Sequence, residues 1–184
     1  MRFLFRLWLN MMGWKTDLVF PYHHVKKYIA IVAPHTSSWD FLIGVAYRSV
    51  LGMEKVRYLG KEELFRPPFG FIFRWLGGTP VNRSSSQNMV DEVVKIFNAH
   101  DEFALALSPE GTRKQVNKLR TGFYHIARGA QVPIVMIGLD FGNRQVAFSE
   151  PFFPTGNQEA DFAHIFAFFR PIKGKYPEKG LMHF

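Results

Sequence analysis

Residues 28–33 read YIAIVA and are followed at once by PHTSSWD at positions 34–40. A short apolar run that ends at a proline is typical of a buried strand. The mostly apolar residues 38–51 then predict a buried helix. A buried strand, a polar turn and a helix in this order indicate the start of a parallel α/β sheet.

The rest of the chain repeats this alternation. Apolar runs predict further strands at 56–60, 78–82, 102–107, 132–139 and 145–149. Residues 61–76, broken by Pro67-Pro68, are either helical or irregular. Helices are predicted from a capping-box spacing at Ser84 through Phe97, at 119–130, and around Phe162–Phe169. We therefore expect a single α/β domain at 16–184, with a mostly parallel, mixed sheet flanked by helices and preceded by an amphipathic helix.

The composition is that of one folded domain with a basic surface. The chain has 184 residues, and 23 Lys and Arg against 15 Asp and Glu give 23 − 15 = +8. It has no cysteine, which excludes a disulfide framework and a cysteine nucleophile. The positive charge suits anionic partners such as phosphate-bearing substrates or an anionic membrane surface. We expect no nucleic acid partner, because the aromatic residues cluster in apolar runs instead of alternating with Lys and Arg.

Residues 2–14 read RFLFRLWLNMMGW and predict an amphipathic helix within residues 1–15. At about 1.5 Å per residue such a helix is too short to cross a bilayer core of about 30 Å. Its wide apolar arc favours a helix that lies in a membrane interface over one docked on its own domain. The expected location is peripheral, on the cytoplasmic face of a membrane.

The turn after the first strand holds a first candidate site. A tight turn would bring His35 and Asp40 together, so that Asp40 orients the imidazole and His35 acts as a general base. The alternative is that Asp40 only caps its helix, since Ser37 and Asp40 have a capping-box spacing, and that His35 is an ordinary loop residue. Spacing alone favours the alternative.

A second candidate follows the strand at 102–107, in the stretch LSPEGTRK at 107–114. Gly111 permits a close backbone approach, and Arg113 offers a planar fork for phosphate or carboxylate. A solvated basic loop is the alternative. The glycine run of a P-loop is missing, and His23-His24 have no third ligand nearby, so we expect no metal site.

Together these segments resemble the glycerolipid acyltransferase superfamily, of the 1-acylglycerol-3-phosphate acyltransferase type. His35 and Asp40 match its first block, and EGTR at 110–113 matches a later one. Two blocks between and after these also match in order, GTPVNR at 78–83 and VPIV at 132–135. Lys61 falls where the family usually has a lysine before a hydrophobic helix.

The resemblance implies transfer of a fatty acyl group from an acyl thioester to the hydroxyl of a lysophosphatidic acid-like lipid. His35 would be the general base and Asp40 would orient it. Acyl-CoA or acyl-ACP would be the donor substrate, which makes acyl carrier protein a candidate partner, and no cofactor or metal is needed. Substrate-binding roles fall on Lys61, Arg83, Glu110, Gly111, Thr112 and Arg113.

Three departures from the family pattern leave the acceptor open. Ser108 replaces a usual aromatic residue, Asn82 a frequent aspartate, and Met136 a frequent proline. Another lyso-lipid, such as a lyso-aminolipid, is therefore an alternative acceptor. A lipid ester or thioester hydrolase and a lipid-binding module without catalysis are the competing functions.

Overall fold

The computed structural model describes residues 1–81 and 86–183. Its centre is a six-stranded sheet in the order β3-β2-β4-β1-β5-β6. All neighbouring strands are parallel except β5 and β6, which are antiparallel. The strands are β1 Lys27–Ala33, β2 Val56–Lys61, β3 Gly78–Val81, β4 Phe103–Leu107, β5 Ile134–Asp140 and β6 Gln145–Phe148.

Within residues 1–81 and 86–183, six α-helices and two short 3-10 turns lie before, between and after these strands. The sequence alternates apolar runs with amphipathic stripes, and each strand from β1 to β4 is followed by a helical crossover to the next strand, as parallel strands require. The helices are α1 Arg2–Met11, α2 Trp39–Val50, α3 Gly70–Trp75, α4 Ser86–Ala99, α5 Gly122–Ala130 and α6 Gln158–Phe169; the 3-10 turns are Glu62–Phe65 and Pro177–Lys179.

The sheet separates two hydrophobic cores. On one face α1 packs against α2, and the core there contains Leu9, Ile43 and Tyr47. On the other face α4, α5 and α6 supply the core, with Phe97 and Phe169 fully buried. Because side chains alternate along a strand, β1 contributes to both cores.

Helix α3 lies on the same face of the sheet as α2. The Tyr58 ring of β2 lies 5.4 Å from the Phe41 ring of α2, and its hydroxyl donates to the Phe73 carbonyl of α3 at 3.1 Å. Right-handed crossovers give the same result, since β1-α2-β2 and β2-α3-β3 both move toward the β3 edge of the sheet. The helices α1, α2 and α3 therefore cover one face together.

The sheet class and the strands predicted from the sequence are confirmed. Local differences have physical causes. Helix α1 ends at Met11, before Gly13, whose φ of +75° breaks helical geometry. The stretch 61–76 divides into a 3-10 turn and α3, with Pro67-Pro68 between them. The predicted cap at Ser84 lies outside the described residues.

The parallel register aligns the ends of three strands. Ile31 of β1 pairs with Leu107 of β4 on one side and with Met136 of β5 on the other. The turn after β1 and the loop after β4 therefore leave the sheet side by side. This carboxyl edge is where open α/β sheets place their ligands.

Candidate active site

Glu110 joins the two candidate segments at the carboxyl edge of the sheet. The backbone N–H of His35 donates to both carboxylate oxygens of Glu110, at 2.9 and 3.0 Å. Ser108 adds a hydrogen bond from its hydroxyl to Glu110 Oε2 at 3.1 Å. The loop after β4 therefore fixes the backbone at His35.

Asp40, in the first turn of α2, organises the turn from its other side. Its Oδ2 atom accepts hydrogen bonds from the backbone N–H groups of Thr36 and Ser37, both at 2.7 Å. The same oxygen lies 3.3 Å from His35 Nδ1. One carboxylate oxygen thus binds two amides of the turn that precedes α2 and also faces the imidazole, whereas the sequence presented capping and imidazole orientation as alternatives.

The side chains of Asp40 and His35 differ in how deeply they are buried. The Asp40 side chain is almost fully buried, whereas 27% of the His35 side chain is exposed. The N-terminus of α2 stabilises the negative charge on Asp40 through the helix dipole. With Nδ1 facing Asp40, the other ring nitrogen, Nε2, is the one available to a substrate. A carboxylate beside Nδ1 can hold a histidine in the orientation that general-base chemistry needs.

Glu110 is itself buried, with 2% of its surface exposed. Burial raises the pKa of its carboxyl group, and the hydrogen bonds from His35 and Ser108 oppose that shift only in part. Its partners among the described residues are thus a backbone amide and a hydroxyl. Glu110 therefore holds the turn that carries His35 in place.

The rest of the loop after β4 is more exposed. Arg113 donates from a guanidinium nitrogen to the Ser38 hydroxyl at 2.7 Å, which brings its charge to the His35 turn. Gly111 has a φ of +66°, and a Cβ atom there would lie 3.2 Å from Arg120 Cγ. The Thr112 hydroxyl accepts a hydrogen bond from a backbone N–H two residues on, at 3.3 Å.

Two predicted substrate-binding residues receive no test from the structure. Lys61 is the last residue of β2, at the carboxyl edge, but its side chain is not described. Arg83 lies outside the described residues. Their roles remain predictions.

A C-terminal segment also contacts the catalytic turn, and the sequence analysis missed it. The backbone N–H of Tyr176 donates to Thr36 Oγ1 at 3.2 Å. A Cβ atom at Gly174 would lie 2.8 Å from Thr36 Cγ2 and 3.2 Å from Pro34 Cβ, so only glycine permits this approach. The surrounding stretch KGKYP at 173–177 has the composition of an ordinary loop, and the small Gly174 was the one available signal.

The site is built from acid–base groups. Within residues 1–81 and 86–183, no group of three or more His, Cys, Asp or Glu side chains has the placement of a metal site.

In the same part of the chain, no helix has both the length and the apolar character that spanning a membrane demands.

An α/β fold with a His–Asp pair at the carboxyl edge of its sheet is typical of an enzyme. The chain belongs to the acyltransferase family, because that family's model matches residues 22–140, well over half of the sequence. The matched region contains β1 through β5 and both candidate segments.

Two comparisons give more particular relatives. A Mycoplasma pneumoniae protein named "Probable 1-acyl-sn-glycerol-3-phosphate acyltransferase" is 29% identical over 139 residues, covering 72% of this chain and 52% of the relative. The chain thus spans about half the length of that relative. The crystal structure of the 1-acyl-sn-glycerophosphate (LPA) acyltransferase PlsC from Thermotoga maritima superposes with a TM-score of 0.60 at 17% identity, covering 89% of this chain and 72% of that one. This likeness supports the fold.

Proposed function

We propose that the protein transfers a fatty acyl group from an acyl thioester to the hydroxyl of a lysophosphatidic acid-like lipid. The observation that carries the proposal is the contact of His35 Nδ1 with Asp40 Oδ2 at the edge where Glu110 fixes the His35 backbone. The name of the Mycoplasma pneumoniae relative supports the choice of acceptor. Acyl-CoA and acyl-ACP are both suitable donors.

The chemistry follows from the positions of the two ring nitrogens. Nε2 of His35 takes the proton from the acceptor hydroxyl as its oxygen attacks the thioester carbonyl. The new C–O bond forms, the C–S bond breaks, and the imidazolium returns its proton to the leaving thiolate. Asp40 stabilises the imidazolium and keeps Nδ1 protonated. Because a thioester is already activated, these residues need no covalent acyl-enzyme.

The acceptor phosphate is assigned to the exposed basic loop. Arg113 uses one guanidinium nitrogen on Ser38 and has further N–H donors for a phosphate oxygen. Lys61 and Arg83 are proposed to add charge, and Gly111 and Thr112 to shape the loop.

The reaction is proposed to take place at a membrane surface, on its cytoplasmic face, through peripheral attachment. Helix α1 uses Leu9 to dock on the domain, while Phe3, Leu4, Leu7 and Met11 on the opposite side are exposed. The sequence presented docking and interfacial binding as alternatives, yet one helix has a face for each. Since deletion of α1 would remove Leu9 and expose the core that it covers, the test is F3S/L7S, which we expect to weaken flotation with anionic vesicles.

Acyl transfer is tested with a labelled acyl thioester and a panel of lyso-lipids in mixed micelles. The panel contains lysophosphatidic acid and a phosphate-free lyso-aminolipid. H35A should abolish the diacyl product, whereas H24A, at an exposed histidine before β1 and so at the opposite edge of the sheet, should leave it unchanged. Product from the lyso-aminolipid alone would reassign the acceptor. Free fatty acid without transfer would favour a hydrolase and contradict the proposal.

A further inference from the structure

Helix α3 presents large apolar side chains to solvent although it is only six residues long. Phe71 is 69% exposed and Trp75 62% exposed, and Phe69 and Ile72 are exposed beside them. We call these four residues the α3 ridge. A cluster of exposed aromatic side chains is rare on a soluble surface and marks an interaction site.

The helix that carries the α3 ridge is packed closely against the domain at both ends. Gly70 is buried, and a Cβ atom there would lie 2.0 Å from the Phe65 carbonyl oxygen, so the helix begins in direct backbone contact with the preceding turn. At the other end Gly77 has a φ of +91°, and a Cβ there would lie 2.6 Å from a guanidinium nitrogen of Arg48 in α2. The exposed apolar side chains therefore belong to a helix that is packed against its neighbours.

The ridge belongs to a larger apolar surface on one side of the protein. Helices α1, α2 and α3 cover the same face of the sheet, and each exposes large apolar side chains outward. Those of α2 are Trp39 and Leu42, and Trp39 adjoins Asp40. On this face, exposed apolar side chains therefore occur on α1 and α3 and also beside the turn that holds His35.

Positive charges accompany this surface. Arg2 and Arg6 of α1 line a cavity of about 310 Å³ beside exposed Val19, with Asp17 as the one acidic group in its wall. At α3, Arg66 is exposed just before the ridge, and Arg74 lies 5.3 Å from the Phe65 ring. Exposed aromatic and aliphatic residues flanked by arginines match an anionic lipid interface, where acyl chains meet phosphate groups.

We infer that the α3 ridge is a second membrane contact, separate from α1, and that it inserts into the interface of an anionic bilayer. Two contacts on one face fix how the domain lies on the membrane, whereas α1 alone would leave it free to pivot. The shared surface then holds the carboxyl edge at the headgroup level. An acceptor lipid could present its hydroxyl to His35 without leaving the interface. The inference goes beyond acyl transfer and needs no turnover to be tested.

The experiment measures binding of the full chain to vesicles of phosphatidylcholine with phosphatidylglycerol, by flotation. F71S/W75S removes two exposed aromatic side chains of the ridge without touching a buried residue. Loss of two aromatic anchors should weaken partition at least about tenfold. The matched control is F153S, at a side chain that is 63% exposed and follows Phe152 of the opposite core. It should change partition by less than about twofold, since it lies off the proposed surface.

Three results would overturn the inference. The first is equal partition of F71S/W75S and F153S. The second is loss of transfer by F71S/W75S in mixed micelles, which would place the ridge on the acyl-chain path of the active site. The third is a protein dimer that forms without lipid and that the F71S/W75S substitutions dissociate. This result would make the ridge a contact between two copies of the chain. If no substrate were turned over but F71S/W75S still lowered partition, the proposed function would fail and the membrane contact would stand.

Discussion

Replacing Asp40 by Asn separates the charge of the carboxylate from its hydrogen bonds. Two backbone N–H groups point at Oδ2 from 2.7 Å, so the amide oxygen of Asn should occupy that position and the turn should keep its shape. The NH₂ group then takes the place of Oδ1, which is buried and, among the described residues, has no hydrogen-bond partner. Burying those donors should cost about 1–3 kcal/mol of unfolding free energy.

The catalytic cost can be worked from the 3.3 Å between Asp40 Oδ2 and His35 Nδ1. At an effective dielectric constant of about 20, two unit charges at that distance interact by about 5 kcal/mol. A proton that is about half transferred in the transition state gives about 2.5 kcal/mol. At about 1.36 kcal/mol per factor of ten, kcat/KM should fall between about 70-fold and about 5,000-fold.

The assay is acyl transfer by D40N, H35A and the double variant in mixed micelles, with thermal unfolding as the check on folding. If Asp40 acts through His35, D40N should have no further effect in the H35A background. A D40N enzyme within about threefold of wild type would refute the electrostatic reasoning, since even half a charge predicts more. So would an equal D40N penalty in both backgrounds.

Three other changes test the surrounding contacts. R113K should raise KM for a phosphate-bearing acceptor about tenfold or more with little change in kcat, because an ammonium lacks the planar fork; steady-state kinetics decide. E110Q should be compared with wild type by chemical denaturation from pH 4 to pH 8. Burial raises the pKa of Glu110, so its contribution to stability is greatest at low pH and is lost as the pH rises through the folded-state pKa; the wild type should lose stability relative to E110Q over that range. D161N should destabilise the fold by about 1–3 kcal/mol without changing kcat, because Asp161 accepts a hydrogen bond from the buried Tyr124 hydroxyl at 2.8 Å and belongs to neither candidate segment.

The sequence predicted the structure correctly where a residue pattern favours a single local conformation. The apolar run 28–33 ended by Pro34 predicted β1 and the turn at its carboxyl end, and the structure has both. The sequence could not predict a hydrogen bond in which one of the two partners is a backbone group. The acceptor for the His35 N–H is Glu110, 75 positions away, and every residue except proline offers such a donor. Glu110 could therefore be identified as a candidate from its motif, but its hydrogen bond with the His35 N–H could not be predicted.

The choice between two roles for Asp40 also lay beyond the sequence. Spacing treats capping and imidazole orientation as competing explanations, because it assigns one partner to one side chain. A carboxylate oxygen has room for several donors, and Asp40 Oδ2 uses that capacity. Similarly, the contact of Gly174 with the turn depends on how the chain returns after α6, which no local pattern encodes.

The active site combines a turn fixed from three sides with a loop left open to solvent. Glu110, Asp40 and the segment at Gly174–Tyr176 each hold residues 34–37, and all three contacts are at least partly buried. Arg113, in contrast, is exposed. A general base must be positioned closely to accept a proton, whereas a phosphate contact can form when the lipid arrives. Variants of the fixed turn should therefore lower kcat, and variants of the open loop should chiefly raise KM.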